Sequence, residues 1–290
     1  MLQYQSLSER KKTLNCRGRL IDLSGGKVMG ILNITPDSFY DGGNFTEPDA
    51  QLRQAELMLK AGATFIDIGG YSTRPGADEI SVGEELRRVV PSVKAIIQHF
   101  PELILSVDTF RSEVAEAALS LGAHMINDVS AGMADAKMLN TILQAKAAYV
   151  MMHMQGTPKT MQVDPIYKDV SLEVLAFLQE KANEAHAAGL IDIILDPGFG
   201  FGKTVAQNYE LLNKLHLFSM LRQPILIGVS RKSMINKVLH TKPENALNGT
   251  SVLNTIAVLQ GADILRVHDV KEAVQVLQLV QTLNNNITQK

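Results

Sequence analysis

The chain has 290 residues, 46% of them hydrophobic, and its 28 basic and 30 acidic residues give a formal net charge of -2. This balance argues against a protein that binds nucleic acid, because no excess of positive charge is available for a polyanion. The single cysteine, Cys16, excludes an intramolecular disulfide and a cysteine-based zinc framework. No apolar stretch approaches the ~18 residues of a membrane span, and the first twelve residues are polar where a signal peptide would be apolar. We therefore expect a cytoplasmic protein with no membrane partner.

Eight short apolar runs recur along the chain, and each ends close to a polar residue that can take part in chemistry. Apolar, β-branched runs separated by amphipathic segments of helix length are typical of repeated strand-helix units, because a parallel strand needs a crossover to return to the same edge of a sheet. Eight such units predict one α/β domain, a (β/α)8 TIM barrel, which takes about 250 residues. The predicted strands are 28–33, 65–70, 103–109, 124–130, 149–154, 193–198, 225–230 and 264–269.

Helices are predicted between these strands, several of them ending at a glycine, which favours a helix C-terminus. They span 49–61, 84–99, 111–121, 134–147, 170–188, 205–221 and 246–260, and a last helix begins at Val270. Residues 1–26 are predicted to form a cap segment with a short hairpin over the bottom of the barrel, and residues 27–290 the barrel itself. Two connections, 35–48 and 71–83, are long for loops of this kind and are expected to be lids or binding loops.

The loops that follow the strands carry the active site in essentially every characterised barrel enzyme of this kind. We therefore expect the polar residues at the strand ends to converge on one mouth of the barrel. These residues are Asn33, Asp67, Asp108, Asn127, Asp196, Lys232, Arg266 and His268.

Seven motifs lie in and after these strands. In chain order they are MGILNITPDSFYDGG (29–43), IDIGGYSTRPGA (66–77), SVDTF (106–110), INDVS (126–130), DPGFGFGK (196–203), IGVSRKS (227–233) and RVHDV (266–270). At these spacings they resemble the dihydropteroate synthase family over nearly all of the chain from Gly30 to Val270. One departure is visible, because many members of the family have Glu where Tyr71 stands.

The resemblance implies a transferase of folate biosynthesis that joins 6-hydroxymethyl-7,8-dihydropterin diphosphate to 4-aminobenzoate with loss of diphosphate. It also implies Mg²⁺ as a cofactor and a homodimer. The expected partners are therefore two small-molecule substrates and a second copy of the chain.

Four strand-end residues match the family's pterin positions, namely Asp108, Asn127, Asp196 and Lys232. A reduced pterin presents a flat edge of donors and acceptors, and an unpaired buried polar group costs ~1 to 3 kcal/mol. The two carboxylates can accept from the amino and ring N–H groups, the amide both donates and accepts, and the ammonium donates. Asn127 and Asp128 face opposite ways on a strand, and the family pattern, not the periodicity, selects Asn127.

Arg266 and His268 are two residues apart on one predicted strand, so both are expected to point into the mouth. A guanidinium beside an imidazole suits a doubly charged phosphate, and the flat face of Arg266 could stack on the pterin ring. By resemblance, Asn33 would ligate Mg²⁺ through its amide oxygen, together with diphosphate oxygens and water.

The glycine-rich stretch 198–204 fits neither a nucleotide P-loop nor a dinucleotide fingerprint, because Pro197 and Lys203 occupy positions that those motifs reserve for glycine. The glycines are instead expected to let the backbone pass close to the ligand, while Phe201 forms a wall for the aminobenzoate ring. Met152 is interpreted as strand packing that also forms the floor of the pterin pocket.

The resemblance places the second substrate among residues of the two long loops and of the later strand ends. These are Phe39, Thr73, Arg74, Pro75, Phe201, Lys232 and Ser233. By analogy with the family, the two loops order over the site after the diphosphate has bound.

A dissociative substitution at the pterin methylene is the mechanism that fits these residues. The leaving diphosphate is stabilised by Mg²⁺, Arg266, His268 and Arg74, and the developing cation by Asp108 and Asp196. The predicted catalytic residues are Asp108, Asp196, Lys232, Arg266 and His268. No protein nucleophile is needed, because the aniline nitrogen is already nucleophilic at neutral pH.

Two other functions share part of this pattern. A corrinoid methyltransferase that uses methyltetrahydrofolate also needs an Asp/Asn pterin pocket, but a substrate without diphosphate gives no reason for Asn33 together with the Arg266/His268 pair. A non-catalytic pterin-binding barrel would not need the intact Asp, Asn, Lys, Arg and His positions, and an activity assay separates it from an enzyme.

Overall fold

The computed structural model describes residues 10–34, 47–72, 79–156, 161 and 165–288, in which strands and helices alternate along the chain. The strands are β1 (Thr13–Cys16), β2 (Arg19–Asp22), β3 (Lys27–Asn33), β4 (Phe65–Gly69), β5 (Ile104–Asp108), β6 (Met125–Asp128), β7 (Ala148–Met152), β8 (Ile193–Asp196), β9 (Leu226–Ile227) and β10 (Ile264–Val267). The α-helices are α1 (Glu47–Lys60), α2 (Val82–His99), α3 (Ser112–Ser120), α4 (Met138–Ala145), α5 (Val170–Ala187), α6 (Val205–Asn213), α7 (Ser233–Leu239), α8 (Leu247–Leu259) and α9 (Val270–Thr288).

Strands β3 to β10 form one parallel sheet, in which β8, β7, β6, β5, β4, β3, β10 and β9 are successive neighbours. The two ends of this order meet, because Leu195 in β8 pairs in parallel with Ile225, just before β9. The Leu195 amide also donates to the Pro224 carbonyl oxygen at 2.9 Å. The sheet therefore curls into a nearly closed eight-stranded barrel with helices between the strands, and the predicted fold class is confirmed.

The N-terminal hairpin of β1 and β2 packs against the bottom of the barrel. Its buried Leu14 and Cys16 share one apolar cluster with the first inward side chains of the barrel strands, including Phe65 and Ile264. The hairpin therefore covers the end of the barrel opposite the strand C-termini, as the sequence predicted. The division into a 1–26 cap and a 27–290 barrel stays a prediction.

Strand alternation places charged side chains above this apolar layer. Residues two apart on a strand face the same side of the sheet, so each inward apolar residue near a strand start is followed by an inward residue two positions later. Four such pairs are Phe65 and Asp67, Met125 and Asn127, Ile194 and Asp196, and Ile264 and Arg266. The barrel is thus apolar at the hairpin end and polar at the C-terminal mouth.

The observed helices differ from the prediction in three places. The predicted 205–221 helix is α6 followed by a 3₁₀ helix at Leu215–Leu221, and the predicted 134–147 helix is shortened to Met138–Ala145. Helix α7 was not predicted, because its seven residues are too few for the apolar periodicity by which helices are read from a sequence. In the described part of the chain no helix is both long enough and apolar enough to cross a membrane.

Candidate active site

Arg266 joins two carboxylates at the barrel mouth. Its Nε donates to Asp67 Oδ2 at 2.7 Å, and its Nη2 donates to Asp108 Oδ2 at 2.8 Å. Asn127 Nδ2 donates to the same Asp67 oxygen at 2.9 Å. Side chains from β4, β5, β6 and β10 are therefore held together by one set of hydrogen bonds.

Asp67 has a more central position than the sequence indicated. It was expected at the mouth but was not assigned a ligand, and its side chain is fully buried. Its Oδ1 has no hydrogen-bond partner in the described part of the chain. Since a buried acceptor without a donor costs free energy, this oxygen is suited to a donor from a ligand or an ordered water. Its place two residues after the inward Phe65 on β4 was the signal that could have identified it.

Asp108 belongs to a cluster of two carboxylates, its own and that of Asp67, around the Arg266 guanidinium. Burial raises the pKa of Asp108 to about 7, against the opposing effect of the Arg266 charge, and the Asp67 carboxylate raises it further. At neutral pH, Asp108 is therefore close to the midpoint of its titration.

Asp196 and Lys232 bring a third carboxylate and a second cation to the mouth. Asp196 Oδ1 accepts from the Gly198 amide at 2.7 Å; burial raises the pKa of Asp196, and the Lys232 charge opposes this. Lys232 Nζ donates to the Phe199 carbonyl oxygen at 2.5 Å and lies 4.7 Å from the centre of the Phe201 ring. Burial lowers the pKa of Lys232 to about 8.

The glycine-rich turn after β8 closes over Lys203, which the sequence did not assign to the site. Lys203 Nζ lies 2.9 Å from the Gly198 carbonyl oxygen, 3.0 Å from that of Phe201 and 3.0 Å from His153 Nδ1. Gly198 has a φ of 72°, and a Cβ there would lie 1.9 Å from the His153 carbonyl oxygen. The close approach that this glycine permits is therefore to the backbone after β7.

His268 follows β10 and is tied to the turn after β9. Its Nδ1 lies 3.0 Å from Ser230 Oγ, which also accepts from the His268 amide at 3.2 Å. Beside this pair, the Arg231 guanidinium donates to both carboxylate oxygens of Asp269, at 3.0 and 2.5 Å. These contacts hold His268 at the same end of the barrel as Arg266.

The orientation of Asn127 agrees with the family pattern, whereas Asp128 faces away from the mouth. The Asp128 carboxylate accepts from the Tyr149 hydroxyl at 2.6 Å and from the amides of Ser130 and Gly132 at 2.8 and 2.7 Å. Tyr149 belongs to the core between the barrel and its helices. Asp128 therefore supports the turn after β6, and Asn127 is the residue available to a ligand.

The remaining predicted site residues are only partly described. Buried Met152 packs with Val129, Met154 and Met161, and Phe201 lies against this cluster. Asn33 ends β3 in register with Gly69 of β4, which in turn pairs with Asp108. Ser233 is exposed and is the first residue of α7. Phe39, Thr73, Arg74 and Pro75 lie outside the described residues.

Tyr71, which stands where the family often has Glu, takes part in an aromatic and cationic contact. Its ring lies 5.2 Å from that of Phe110 in an edge-to-face arrangement, and the Arg111 guanidinium lies 5.3 Å from both ring centres. Arg111 also donates to Glu85 at 2.7 Å and to the Ile80 carbonyl oxygen at 2.8 Å. The two ends of the segment between Tyr71 and Ile80 are therefore anchored on one guanidinium.

The chain is similar to known proteins over nearly its whole length. A family model described as pterin binding enzyme matches residues 29–268. The dihydropteroate synthase of Escherichia coli strain K12 is 47% identical over 270 residues, which are 92% of this chain and 95% of that protein. A structure of Xanthomonas albilineans dihydropteroate synthase with 4-aminobenzoic acid has a TM-score of 0.88 and 41% identity and covers 94% of this chain and 98% of its own. Another, in complex with 7,8-dihydropteroate, has a TM-score of 0.84 and 38% identity over the same shares.

Replacing Asp108 by Asn should remove a pH dependence of stability. Because the fold raises the pKa of this carboxyl group from 3.8 to about 7, the folded state binds more protons than the unfolded state between these values. Asp108 therefore lowers the free energy of unfolding as the pH rises through this window. We expect the melting temperature of Asp108→Asn, relative to the unsubstituted protein, to rise from pH 4 and to level off above about pH 7, as measured by circular dichroism.

Asp135→Asn is a control for which the pH dependence of stability should have the opposite sign. At Asp135 the effect of burial is outweighed by hydrogen bonds from Ser112 and Lys137, so its pKa is lowered and its carboxylate stabilises the fold at neutral pH. If the melting temperatures of Asp108→Asn and of the unsubstituted protein changed in parallel from pH 4 to 8, the fold would not raise the pKa of Asp108.

Proposed function

The chain belongs to the pterin-binding enzymes, and among them to the dihydropteroate synthases, and from that premise we propose which of its residues carry each part of the reaction. A dihydropteroate synthase is a transferase of folate biosynthesis that joins 6-hydroxymethyl-7,8-dihydropterin diphosphate to 4-aminobenzoate. This identity takes precedence over a corrinoid methyltransferase and over a non-catalytic barrel.

The pterin is proposed to bind at the strand ends, with its donor-acceptor edge against Asp108, Asn127, Asp196 and Lys232. The observation that carries this assignment is that Asp196 is buried and the Asp108 side chain is only 12% exposed, and that burial raises the pKa of both carboxyl groups. Such carboxylates lack the water that would solvate them, so donors from the pterin amino and ring N–H groups replace a solvation that burial removed. Met152 lies in the apolar cluster beside them and would contact the flat face of the ring.

The diphosphate is proposed to lie on the side of Arg266 and His268. Two of the Arg266 donors, Nε and Nη2, are already engaged by Asp67 and Asp108. Arg266 would therefore act on the diphosphate mainly through its positive charge, which would lie between the carboxylates of the pterin site and the leaving group. His268, held by Ser230, and Arg74 would supply further donors to phosphate oxygens.

Magnesium fits the donor set at the end of β3. Among the residues that the structure describes, no group of three or more His, Cys, Asp or Glu side chains is placed to hold a metal ion. Mg²⁺ takes oxygen ligands and usually keeps water and phosphate in its shell, so a single amide oxygen from Asn33 suits it when diphosphate is present. When bound, the ion would neutralise negative charge on the leaving diphosphate.

The reaction is proposed to be a dissociative substitution at the pterin methylene carbon. The bond between this carbon and the diphosphate oxygen breaks with its electron pair going to diphosphate, while Asp108 and Asp196 stabilise the positive charge left on the pterin. The aniline nitrogen of 4-aminobenzoate then forms the new C–N bond and loses one proton to the leaving group or solvent. Phe201 and Lys232 would orient the second substrate, since the ammonium already lies over that ring.

Diphosphate release tests this function directly. We expect release to require both substrates and Mg²⁺, and Asp196→Asn to raise the KM for the pterin by about tenfold, because an amide donor would face the pterin N–H groups. A coupled assay of diphosphate gives both values. Asp22→Asn, which changes an exposed carboxylate in the hairpin, is the matched control and should keep the original KM. An unchanged pterin KM in Asp196→Asn would require the pocket to be placed elsewhere.

A second expected result concerns the order of binding. The pterin residues lie at strand ends, whereas Phe39, Thr73, Arg74 and Pro75 belong to the two long connections. Ordering a loop residue costs about 1 to 2 kcal/mol, and bound diphosphate with Mg²⁺ offers Arg74 a strong partner. Labelled 4-aminobenzoate should therefore bind poorly to the free enzyme and much more tightly once Mg²⁺ and diphosphate are present.

Arg74→Ala should abolish most of that difference, whereas Arg87→Ala should keep it, because Arg87 is an exposed arginine on α2 that pairs with Glu84 of the same helix. Equal affinity of the unsubstituted enzyme for 4-aminobenzoate with and without Mg²⁺-diphosphate would contradict the assembled site. Equilibrium dialysis supplies these affinities.

A homodimer is proposed on the side of the barrel formed by α7, α8 and α9. Val252, Ile256 and Leu259 of α8 follow one another at helical spacing and are exposed, and Leu279 and Leu283 of the adjacent α9 are exposed too. A contiguous exposed apolar face of this kind is typical of a surface that a partner covers.

Sedimentation should give the mass of a dimer for the unsubstituted protein and of a monomer for Val252→Glu, because a charge would be buried without a partner in the interface. Leu172→Glu, at an exposed leucine of α5, should remain a dimer. A monomeric unsubstituted protein at micromolar concentration, or a dimeric Val252→Glu, would exclude this surface.

A further inference from the structure

The reaction residues proposed above leave a buried lysine beneath the glycine-rich turn without a role. We propose that Lys203 is a positioning residue, whose ammonium fixes the turn that presents Asp196 and Phe201 and keeps Asp196 a carboxylate that can accept from the pterin. The inference rests on the proposed function, specifically on the pterin contact of Asp196.

The surroundings of Lys203 match the three donors of an ammonium group. Only 3% of the residue is exposed, and its Nζ reaches the carbonyl oxygens of Gly198 and Phe201 and the His153 Nδ1, all at 2.9 to 3.0 Å. A lysine ammonium donates three hydrogen bonds and accepts none, so this set is complete. Burial, together with the Lys203 charge, lowers the pKa of His153 to about 3, so His153 stays neutral and can serve as the acceptor.

The two carbonyl groups that Lys203 holds belong to residues with direct roles in the proposed site. The Gly198 amide donates to Asp196 Oδ1 at 2.7 Å, and the Phe201 ring lies under the Lys232 ammonium. One ammonium therefore holds the backbone that orients a pterin carboxylate and the backbone that carries the aminobenzoate wall. Lys203 touches neither of the proposed substrate positions itself, so its effect is exerted through the turn.

The turn is also held from outside, which separates its general fold from the contribution of Lys203. Asn208 Oδ1 accepts from the Gly200 amide at 2.7 Å, and the Tyr167 hydroxyl donates to the Gly202 carbonyl oxygen at 2.8 Å. These contacts remain when the ammonium is removed. Loss of the Lys203 charge is therefore expected to change the position and charge of Asp196 more than the overall fold.

Three cations face Asp196, each from a different part of the barrel. Lys232 lies in the turn between β9 and α7, Arg266 in β10 and Lys203 just before α6, and each opposes the effect of burial, which raises the pKa of Asp196. In return, the Asp196 charge opposes the burial that lowers the pKa of Lys203 to about 7. Each group therefore favours the charged form of the other. The Lys232 charge also lowers the pKa of Lys203, and the neutral His153 ring lies in direct contact with its Nζ.

The test measures the affinity for 6-hydroxymethyl-7,8-dihydropterin diphosphate from pH 5.5 to 9 by calorimetry. Lys203→Met removes the charge at similar length, Lys203→Gln is neutral but keeps a donor for the turn, and Lys203→Arg keeps the charge. Lys214→Met, at a partly exposed lysine paired with Asp169 and Glu210, is the matched control. Asp196→Asn serves as the reference from which the titration of Asp196 is absent.

We expect both neutral variants to weaken pterin binding about tenfold at pH 7. The midpoint of the loss of affinity at acid pH should move upward by about one pH unit, because a cation that favours the Asp196 carboxylate is gone. Lys203→Arg and Lys214→Met should keep the original midpoint. Asp196→Asn should not show the acid loss of affinity whose midpoint moves in the neutral Lys203 variants. Lys203→Gln decides the question if Lys203→Met unfolds.

Two results would overturn the proposal. Affinity profiles of the neutral variants that superimpose on the original one would show that Lys203 has no role in pterin binding. A uniform loss of affinity at every pH, with an unchanged midpoint, would reduce Lys203 to a packing residue. Failure of the unsubstituted protein to bind the pterin at any pH would contradict the proposed function as well, whereas the first two results leave that function intact.

Discussion

The two-point contact of Arg266 with Asp67 and Asp108 is the constraint on which the rest of the site depends. Two carboxylates on adjacent strands face the same interior, and without a cation between them their mutual repulsion and desolvation would be severe. Arg266 reaches both at 2.7 and 2.8 Å from a strand that is not adjacent to either β5 or β4. A guanidinium is suited to this position, because its planar fork can meet two oxygen acceptors at once.

The charged residues at the mouth depend on the apolar layer below them in the barrel. The charged residues stand two positions after inward apolar residues such as Phe65 and Ile264, whose layer is sealed at the bottom by Leu14 and Cys16 of the hairpin. This apolar base separates the charges from solvent on the hairpin side, so the mouth is the side from which a ligand would reach them. The hairpin, although distant from the chemistry, therefore contributes to the low dielectric in which the carboxylates are perturbed.

Much of this arrangement could be predicted from the sequence, and the reasons are local. A barrel strand that is apolar on both faces is visible as a short run, and the residue that ends it marks the mouth, which is why Asp108, Asp196 and Arg266 were identified. The orientation of Asn127 required the family pattern at that stage. In the structure it follows from Met125, since the residue two positions after an inward side chain also faces inward.

The features that escaped prediction depend on contacts between distant parts of the chain. Lys203 follows the turn in sequence like any solvent-exposed lysine, and only the approach of His153, fifty residues earlier, shows that it is buried. Asp67 accepts from Arg266 in β10, which lies 199 residues further along the chain. Helix α7 has only seven residues, too few to produce a periodic signal, and it begins directly after Lys232.

The electrostatics of the site indicate how stability and function are balanced. Burial raises the pKa values of Asp108 and Asp196 and lowers those of Lys203 and Lys232. It therefore shifts all four groups toward the neutral form. A fold selected only for stability would gain from replacing such groups by apolar ones. In the proposed function, donors from the pterin edge would relieve the two carboxylates. Binding of the pterin would therefore reduce the unfavourable burial of charge at Asp108 and Asp196 in the free enzyme.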